Sequence, residues 1–132
     1  MLGQRGDVMT IKEVSEKYDL SADTIRYYER VGLIPHVPRK ENGIRDFDEA
    51  ACGWVEFSKC MRSAGVQVEA LIEYVDLFFQ EGTEEARKDI LVEQRARLQE
   101  QYEQLKATME RLDYKIAHYE ELMVKKCPNL QA

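Results

Sequence analysis

A chain of 132 residues has room for one compact domain, or for a small domain joined to one extended element. One third of it is charged, and no apolar run approaches the ~20 residues that a membrane span requires, so a soluble, cytoplasmic protein without membrane partners is expected. The net charge of −6 argues at first against a nucleic-acid partner, but residues 9–45 carry seven Lys and Arg against six Asp and Glu, and the acidity lies elsewhere.

The three cysteines, Cys52, Cys60 and Cys127, form no CxxC pair. This speaks against a disulfide framework and a preformed zinc site, and it fits a reducing compartment. Neither a metal nor a cofactor is expected. Residues 1–8 are polar and lack the apolar stretch of a signal peptide, so they are read as a leader ahead of Met9.

Thr10 followed by Glu13 is a capping box, with Ile11, Val14 and Tyr18 at helical spacing behind it. After a tight Asp19-Leu20 connection, Ser21 caps a second helix that runs to about Val31 and stops at Gly32. Two short helices with so small a turn between them predict a helix-turn-helix. Pro35 and Pro38 then forbid a helix interior. Asn42-Gly43 predicts a two-residue type I′ hairpin, with both residues at positive φ, flanked by Arg39, Lys40 and Arg45. A cationic hairpin directly after a helix-turn-helix reads as a wing.

Asp48 caps a third helix reaching about Ala64. A fourth, from Gln67 to Gln80, is expected to bury Val68, Leu71, Ile72, Val75 and Phe79 along one stripe and to end at Gly82. The remainder, 83–126, reads as a single helix capped by Thr83 and closed by Pro128, roughly 65 Å long at ~1.5 Å per residue. Leu91, Leu98, Leu105, Leu112 and Tyr119 recur every seven residues, as do Tyr102, Met109, Ile116 and Met123, which is the heptad rule of a coiled coil. No Gly or Pro permits a helical hairpin in this stretch, so self-association into a homodimer is expected; the heptads leave parallel and antiparallel pairing open. The fold class is therefore mainly α: a winged helix-turn-helix domain over 9–81, a dimerisation helix over 83–126 and a tail over 127–132.

In the second helix Ile25 and Tyr28 fall on the face toward the core. Arg26, Tyr27 and Arg30 project away from it, and Ser21 and Thr24 lie at its start. Arg and Tyr on an exposed recognition helix contact base edges and phosphates, while wing cations reach the adjacent backbone. The other reading is a solvated face with ordinary cations. The segments Met9–Ser15, Thr24–Pro35 and Asn42–Phe47 together resemble the MerR family of bacterial transcription regulators over about residues 9–80. That resemblance implies an antiparallel coiled-coil dimer binding double-stranded promoter DNA. It implies distortion of an overlong promoter spacer so that RNA polymerase engages both boxes, a case of indirect readout. Carried onto matching positions, it implies DNA contacts at Arg26, Tyr27 and Arg45, and at Ser21, Thr24 and Lys40.

The segment Trp54–Gly65 with Leu71–Tyr74 resembles the NmlR/AdhR-type subgroup, which implies a response to aldehydes or thiol stress with Cys60 as the sensor. On its own helix Cys60 is flanked at three and four residues by Glu56, Phe57, Ser63 and Ala64, none cationic, while Lys59 and Arg62 project elsewhere. The competing reading makes Cys60 a buried small hydrophobe. Cys52 and Cys60, eight residues and ~12 Å apart on one helix, cannot form a disulfide. Cys127, in a Lys-Lys-Cys-Pro tail, is read as adventitiously reactive. Other readings are a regulator sensing a small ligand or metal where the helix pair meets the coiled coil, and a coiled-coil adaptor. A thiol enzyme lacks a Cys-His or Cys-Thr-Arg constellation, so no catalytic residue is expected.

Overall fold

The computed structural model describes residues 8–124, so the leader up to Asp7, the end of the expected long helix, Cys127 and the tail lie outside the described residues. Helix α1 (Ile11–Tyr18) starts on the expected capping box: the Glu13 amide donates to Thr10 Oγ1 at 3.2 Å, and the Thr10 amide donates to Glu13 Oε1 at 2.8 Å. It ends on Asp19 in the left-handed region, φ 55°, a conformation that Asp tolerates better than most residues. Two residues later Ser21 Oγ accepts the Thr24 amide at 3.0 Å and α2 (Ala22–Val31) begins. The helix-turn-helix is therefore set by two side-chain caps and one left-handed residue, all local in sequence.

Helix α1 packs against both α2 and α3 (Glu49–Ser63), the latter capped by Asp48. The core at their junction holds Val14, Ile25 and Val55, with Leu33, Ile34 and Phe47 from the intervening loop, each at most 1% exposed. Burying each side chain contributes about 1.5–3 kcal/mol. A hydrogen bond fixes the loop as well: Ser58 Oγ, fully buried on α3, donates to the Leu33 carbonyl at 2.8 Å. Lys59 Nζ donates to the Tyr18 carbonyl, closing the end of α1 against α3.

Helix α4 is shorter than its apolar stripe predicts. It spans Val68–Phe78 and buries Leu71 and Val75, whereas Phe79 lies past its end and is 64% exposed. The chain leaves helical geometry at Phe79, so the i+4 spacing from Val75 no longer turns that ring inward. Phe79 instead joins Phe78 and Trp54 in an aromatic cluster, with centroids 5.3 Å from Phe78 and 6.3 Å from Trp54.

Helix α5 (Glu84–Ala117) follows. Thr83 occupies the position before it, but its hydroxyl donates backward to the Leu77 and Gln80 carbonyls at 2.8 and 2.9 Å. It closes the end of α4 rather than capping α5 with its side chain. The first compact unit of the chain ends at Gln94, which is buried and exchanges hydrogen bonds with Gln67 at the start of α4.

The second unit, from Arg95, contains the rest of α5 and a short α6 (Tyr119–Val124). The expected uninterrupted helix is thus divided at His118, although its amide still reaches the Tyr114 carbonyl at 3.0 Å. The His118 ring lies 4.2 Å from that of Tyr114, and its Nδ1 is 3.1 Å from Glu121 Oε1. Along the described helices most heptad side chains lie open: Leu91, Tyr102, Leu105, Met109, Leu112, Ile116 and Tyr119 are exposed, while Leu98 and Met123 are half-buried.

Candidate nucleic-acid interface

Helix α2 divides as its periodicity predicts. Ile25 and Tyr28 are buried, whereas Ser21, Arg26, Tyr27 and Arg30 are exposed and Thr24 is half-buried. The outer face is organised by its own side chains. Arg26 Nη1 pairs with Asp23 Oδ1 at 2.9 Å, and the Arg30 guanidinium stands 5.4 Å from the centre of the Tyr27 ring. Ser21 donates from Oγ to Thr24 Oγ1 at 2.8 Å, so both hydroxyls belong to the cap.

The wing is a hairpin, but its turn differs from the expected one. The Gly43 amide donates to the Lys40 carbonyl and the Lys40 amide to the Ile44 carbonyl, both at 2.8 Å, which makes 41–43 a three-residue loop. Only Gly43 has positive φ, 86°; Asn42 does not. This is the pattern of a type I turn closed by a left-handed glycine. Asn42 contributes by side chain instead, its Oδ1 accepting the Ile44 amide at 3.1 Å. Pairing is limited to single antiparallel bridges, Arg39 with Arg45 and Met9 with Phe47, and the described residues contain no longer strand.

The wing cations are not free. Lys40 Nζ stands 3.7 Å from Asp46 Oδ1, and Arg39 Nη1 donates to the Gly43 carbonyl at 3.0 Å. Arg45, the expected wing contact, directs Nε to Glu29 Oε1 at 2.6 Å. Glu29 belongs to α2, and its side chain is 5% exposed. Its Oε2 also accepts the Val37 amide at 2.8 Å, with His36 Nδ1 at 3.5 Å and Arg39 Nη2 3.9 Å from Oε1. Burial alone would push this carboxyl up. The Val37 amide, the Arg45 guanidinium and His36 together outweigh burial and hold it below the usual carboxylate range.

Sequence reasoning gave Glu29 no role. A signal was present: Glu29 is four residues after Ile25 and one after Tyr28, so it falls on the inward face, where a carboxylate needs partners. Which partners it finds depends on the path of the loop, which spacing does not reveal.

The two described cysteines lie in different environments. Cys60 is exposed, which removes the reading of it as a buried hydrophobe. The cations beside it are engaged elsewhere, Lys59 with the Tyr18 carbonyl and Arg62 with the Val66 carbonyl. Cys52 is the buried one, with Sγ 3.7 Å from Met9 Sδ and 3.8 Å from the Phe47 carbonyl; burial pushes its thiol up, offset in part by nearby Lys17. Among the described residues no group of three or more His, Cys, Asp or Glu could hold a metal ion. No helix among them is long and apolar enough to cross a membrane.

Residues 10–47, which span the helix-turn-helix and wing, match the model of the MerR family regulatory protein. Over nearly the whole chain the fold is similar to a crystal structure of a protein assigned to that family from Listeria monocytogenes. The TM-score is 0.83 at 44% identity, covering 92% of this chain and 93% of that one. The chain belongs to the MerR family of transcriptional regulators. Within this MerR family it is 57% identical over 91 residues to the HTH-type transcriptional regulator AdhR of Bacillus subtilis (strain 168), a match spanning 68% of this chain and 65% of AdhR. A second MerR structure, HiNmlR, described as a regulator lacking the sensor domain and bound to promoter DNA, superposes with a TM-score of 0.77 at 27% identity. It covers 89% of this chain and 94% of that one. These likenesses place the chain with AdhR- and NmlR-like members of the family. They agree with a mainly α fold of helix-turn-helix, wing and long C-terminal helix.

Proposed function

We propose that the chain binds double-stranded promoter DNA as a homodimer and switches transcription in response to an aldehyde or similar electrophile captured by Cys60. The observation that carries DNA binding is the outer face of α2, where Arg26, Tyr27 and Arg30 stand exposed above a buried Ile25 and Tyr28, with the cationic hairpin tied to the same helix. Ser21 and Thr24 start that face, and Lys40 and Arg45 supply the wing. In this reading Arg26 and Tyr27 meet base edges and phosphates, the wing meets the adjacent backbone, and the distorted promoter is presented to RNA polymerase.

Dimerisation is supported by the open heptad stripe, which would sit in water in an isolated chain. Two copies put two recognition helices at a fixed spacing on a pseudo-palindromic site. The domain reading follows: 9–81 binds DNA, and the helix from 83 joins the copies in an antiparallel coiled coil. The chain works in the cytoplasm as a regulator rather than an enzyme, and it needs no cofactor.

Exposure of Cys60 supports the choice of inducer. Its sulfur would add to the carbonyl carbon of an aldehyde, forming a C–S bond while the thiol proton passes to the carbonyl oxygen; the product is a hemithioacetal, with no redox change. The decisive experiment measures induction of a reporter by formaldehyde or methylglyoxal in wild type and in Cys60→Ser. Loss of induction with retained operator binding is expected. Full induction by Cys60→Ser would overturn the sensor assignment, and an Arg26→Glu variant that still footprints would overturn the interface. A small-molecule ligand is the second reading, favoured by a cavity of about 300 Å³ lined by Ile34, Pro35, Trp54, Phe78 and Phe79 among others. It predicts that induction survives Cys60→Ser.

A further inference from the structure

Glu29 is an unusual residue to bury on a DNA-facing helix. It brings a negative charge close to the phosphates, and burial of a carboxylate is costly without compensation. The structure compensates it fully, and every partner comes from the chain that builds the wing: the Val37 amide, the Arg45 Nε, and more distantly His36 and Arg39. The hairpin itself has only one bridged pair and a three-residue loop, so its own backbone pairing holds it weakly. Arg45 lies on one side of that single bridge, and its guanidinium is also the group that reaches back to α2.

We infer that Glu29 is the positioning residue of the DNA interface: its buried carboxylate holds the Arg45 guanidinium by Nε and thereby fixes the wing relative to the recognition helix, leaving the Nη edge of Arg45 for a phosphate. The inference rests on the DNA-binding reading above and deepens it. A guanidinium can do both jobs because its donors form a rigid, planar fork with distinct edges. No other partner of Arg45 is seen among the described residues, and its side chain keeps 23% exposure, enough to present one edge to a ligand. A lysine ammonium at that position could satisfy the carboxylate or the phosphate, but it has no second edge.

The test uses the full chain and a labelled duplex selected by the wild-type protein from a randomised pool, with affinity measured across a salt series. Glu29→Gln is expected to weaken binding by roughly tenfold or more, and to lower the slope of log affinity against log salt by about 1 per protomer, the signature of one lost phosphate contact. Arg45→Lys should lose the same slope although its charge is unchanged. The double variant Glu29→Gln/Arg45→Ala should bind no more weakly than Arg45→Ala alone, because Glu29 acts through that side chain. Circular dichroism establishes that each variant is folded at the assay temperature. Should Glu29→Gln not fold, Arg45→Lys, whose partner carboxylate stays ionised and paired, carries the test. An unchanged salt slope in a folded variant, or additive losses in the double variant, would overturn the inference. Failure of the wild-type protein to select any duplex would instead overturn the DNA-binding reading.

Discussion

The exposed stripe of the second unit makes the most quantitative demand on the molecule. Leu105 is 61% exposed in the single chain and Met109 55%. Complete burial of a leucine side chain is worth about 1.5–3 kcal/mol, so covering the exposed part of Leu105 contributes about 0.9–1.8 kcal/mol per copy. In a symmetric pair each copy contributes once, so Leu105→Ala removes about 1.8–3.6 kcal/mol. This predicts a dimer dissociation constant raised roughly 20- to 400-fold, more if the seam keeps a cavity. Alanine is the best helix former, so the helix itself should survive. Sedimentation equilibrium over a concentration series measures the constant. Glu110→Ala, one position beyond Met109 and off both heptad series, serves as the control and should leave it within about threefold. A Leu105→Ala protein that dimerises as tightly as wild type would refute the assignment of this stripe to the interface, as would a wild-type chain that stays monomeric at tens of micromolar.

Four further outcomes follow from the first unit. The Glu29 carboxyl is held below the 4.5 of the free group, so its ionised form stabilises the fold above about pH 4.5, and that contribution is lost as pH falls toward the folded-state value. Urea midpoints recorded from pH 7 to pH 3 should fall in that window for wild type and fall less for Glu29→Gln; parallel curves would contradict the ion-pair account. Ser58→Ala leaves the buried Leu33 carbonyl without its donor and should cost about 1–3 kcal/mol by denaturant melts, against nearly nothing if the loop relaxes to another partner. Gly43→Ala meets open space but places a side chain at φ 86°, so a cost of about 1–2 kcal/mol is expected from backbone strain alone. Brief iodoacetamide treatment of the native protein, mapped by mass spectrometry, should modify Cys60 well before Cys52; the opposite order would reverse their assigned environments.

What could be read in advance follows from how far each feature reaches along the chain. The caps at Thr10, Ser21 and Asp48 and the division of α2 into Ile25 and Tyr28 inside, Arg26 and Tyr27 outside, are settled within four residues. Propensity and periodicity were sufficient there. Helical propensity is equally local in the long helix, which runs unbroken from Glu84 to Ala117. Phe79, the Thr83 side chain and the break at His118 depart from the expected pattern because each depends on where a helix ends, although Thr83 does stand at the start of α5 with its carbonyl accepting the Arg87 amide. That point is set by competition between carbonyl acceptors and ring contacts that no spacing rule contains: Thr83 resolves it by donating to α4, and Phe79 by joining Trp54. Asn42-Gly43 does mark a turn, but of a different class from the one the dipeptide predicts, because the pairing of Lys40 with Ile44 encloses one residue more.

Glu29 shows the remaining limit most clearly. That it faces inward follows from the same periodicity that buries Ile25, and the demand for a partner follows from burying charge. Its partner, however, is Arg45, sixteen residues away on a loop whose path is set by Leu33, Ile34 and Phe47 sinking into the core. The hydrophobic anchors of the loop therefore decide which cation reaches the carboxylate, and the carboxylate in turn decides how the wing stands beside α2. A substitution at Phe47, which is fully buried, should consequently alter the wing through Glu29 before it alters α2 itself.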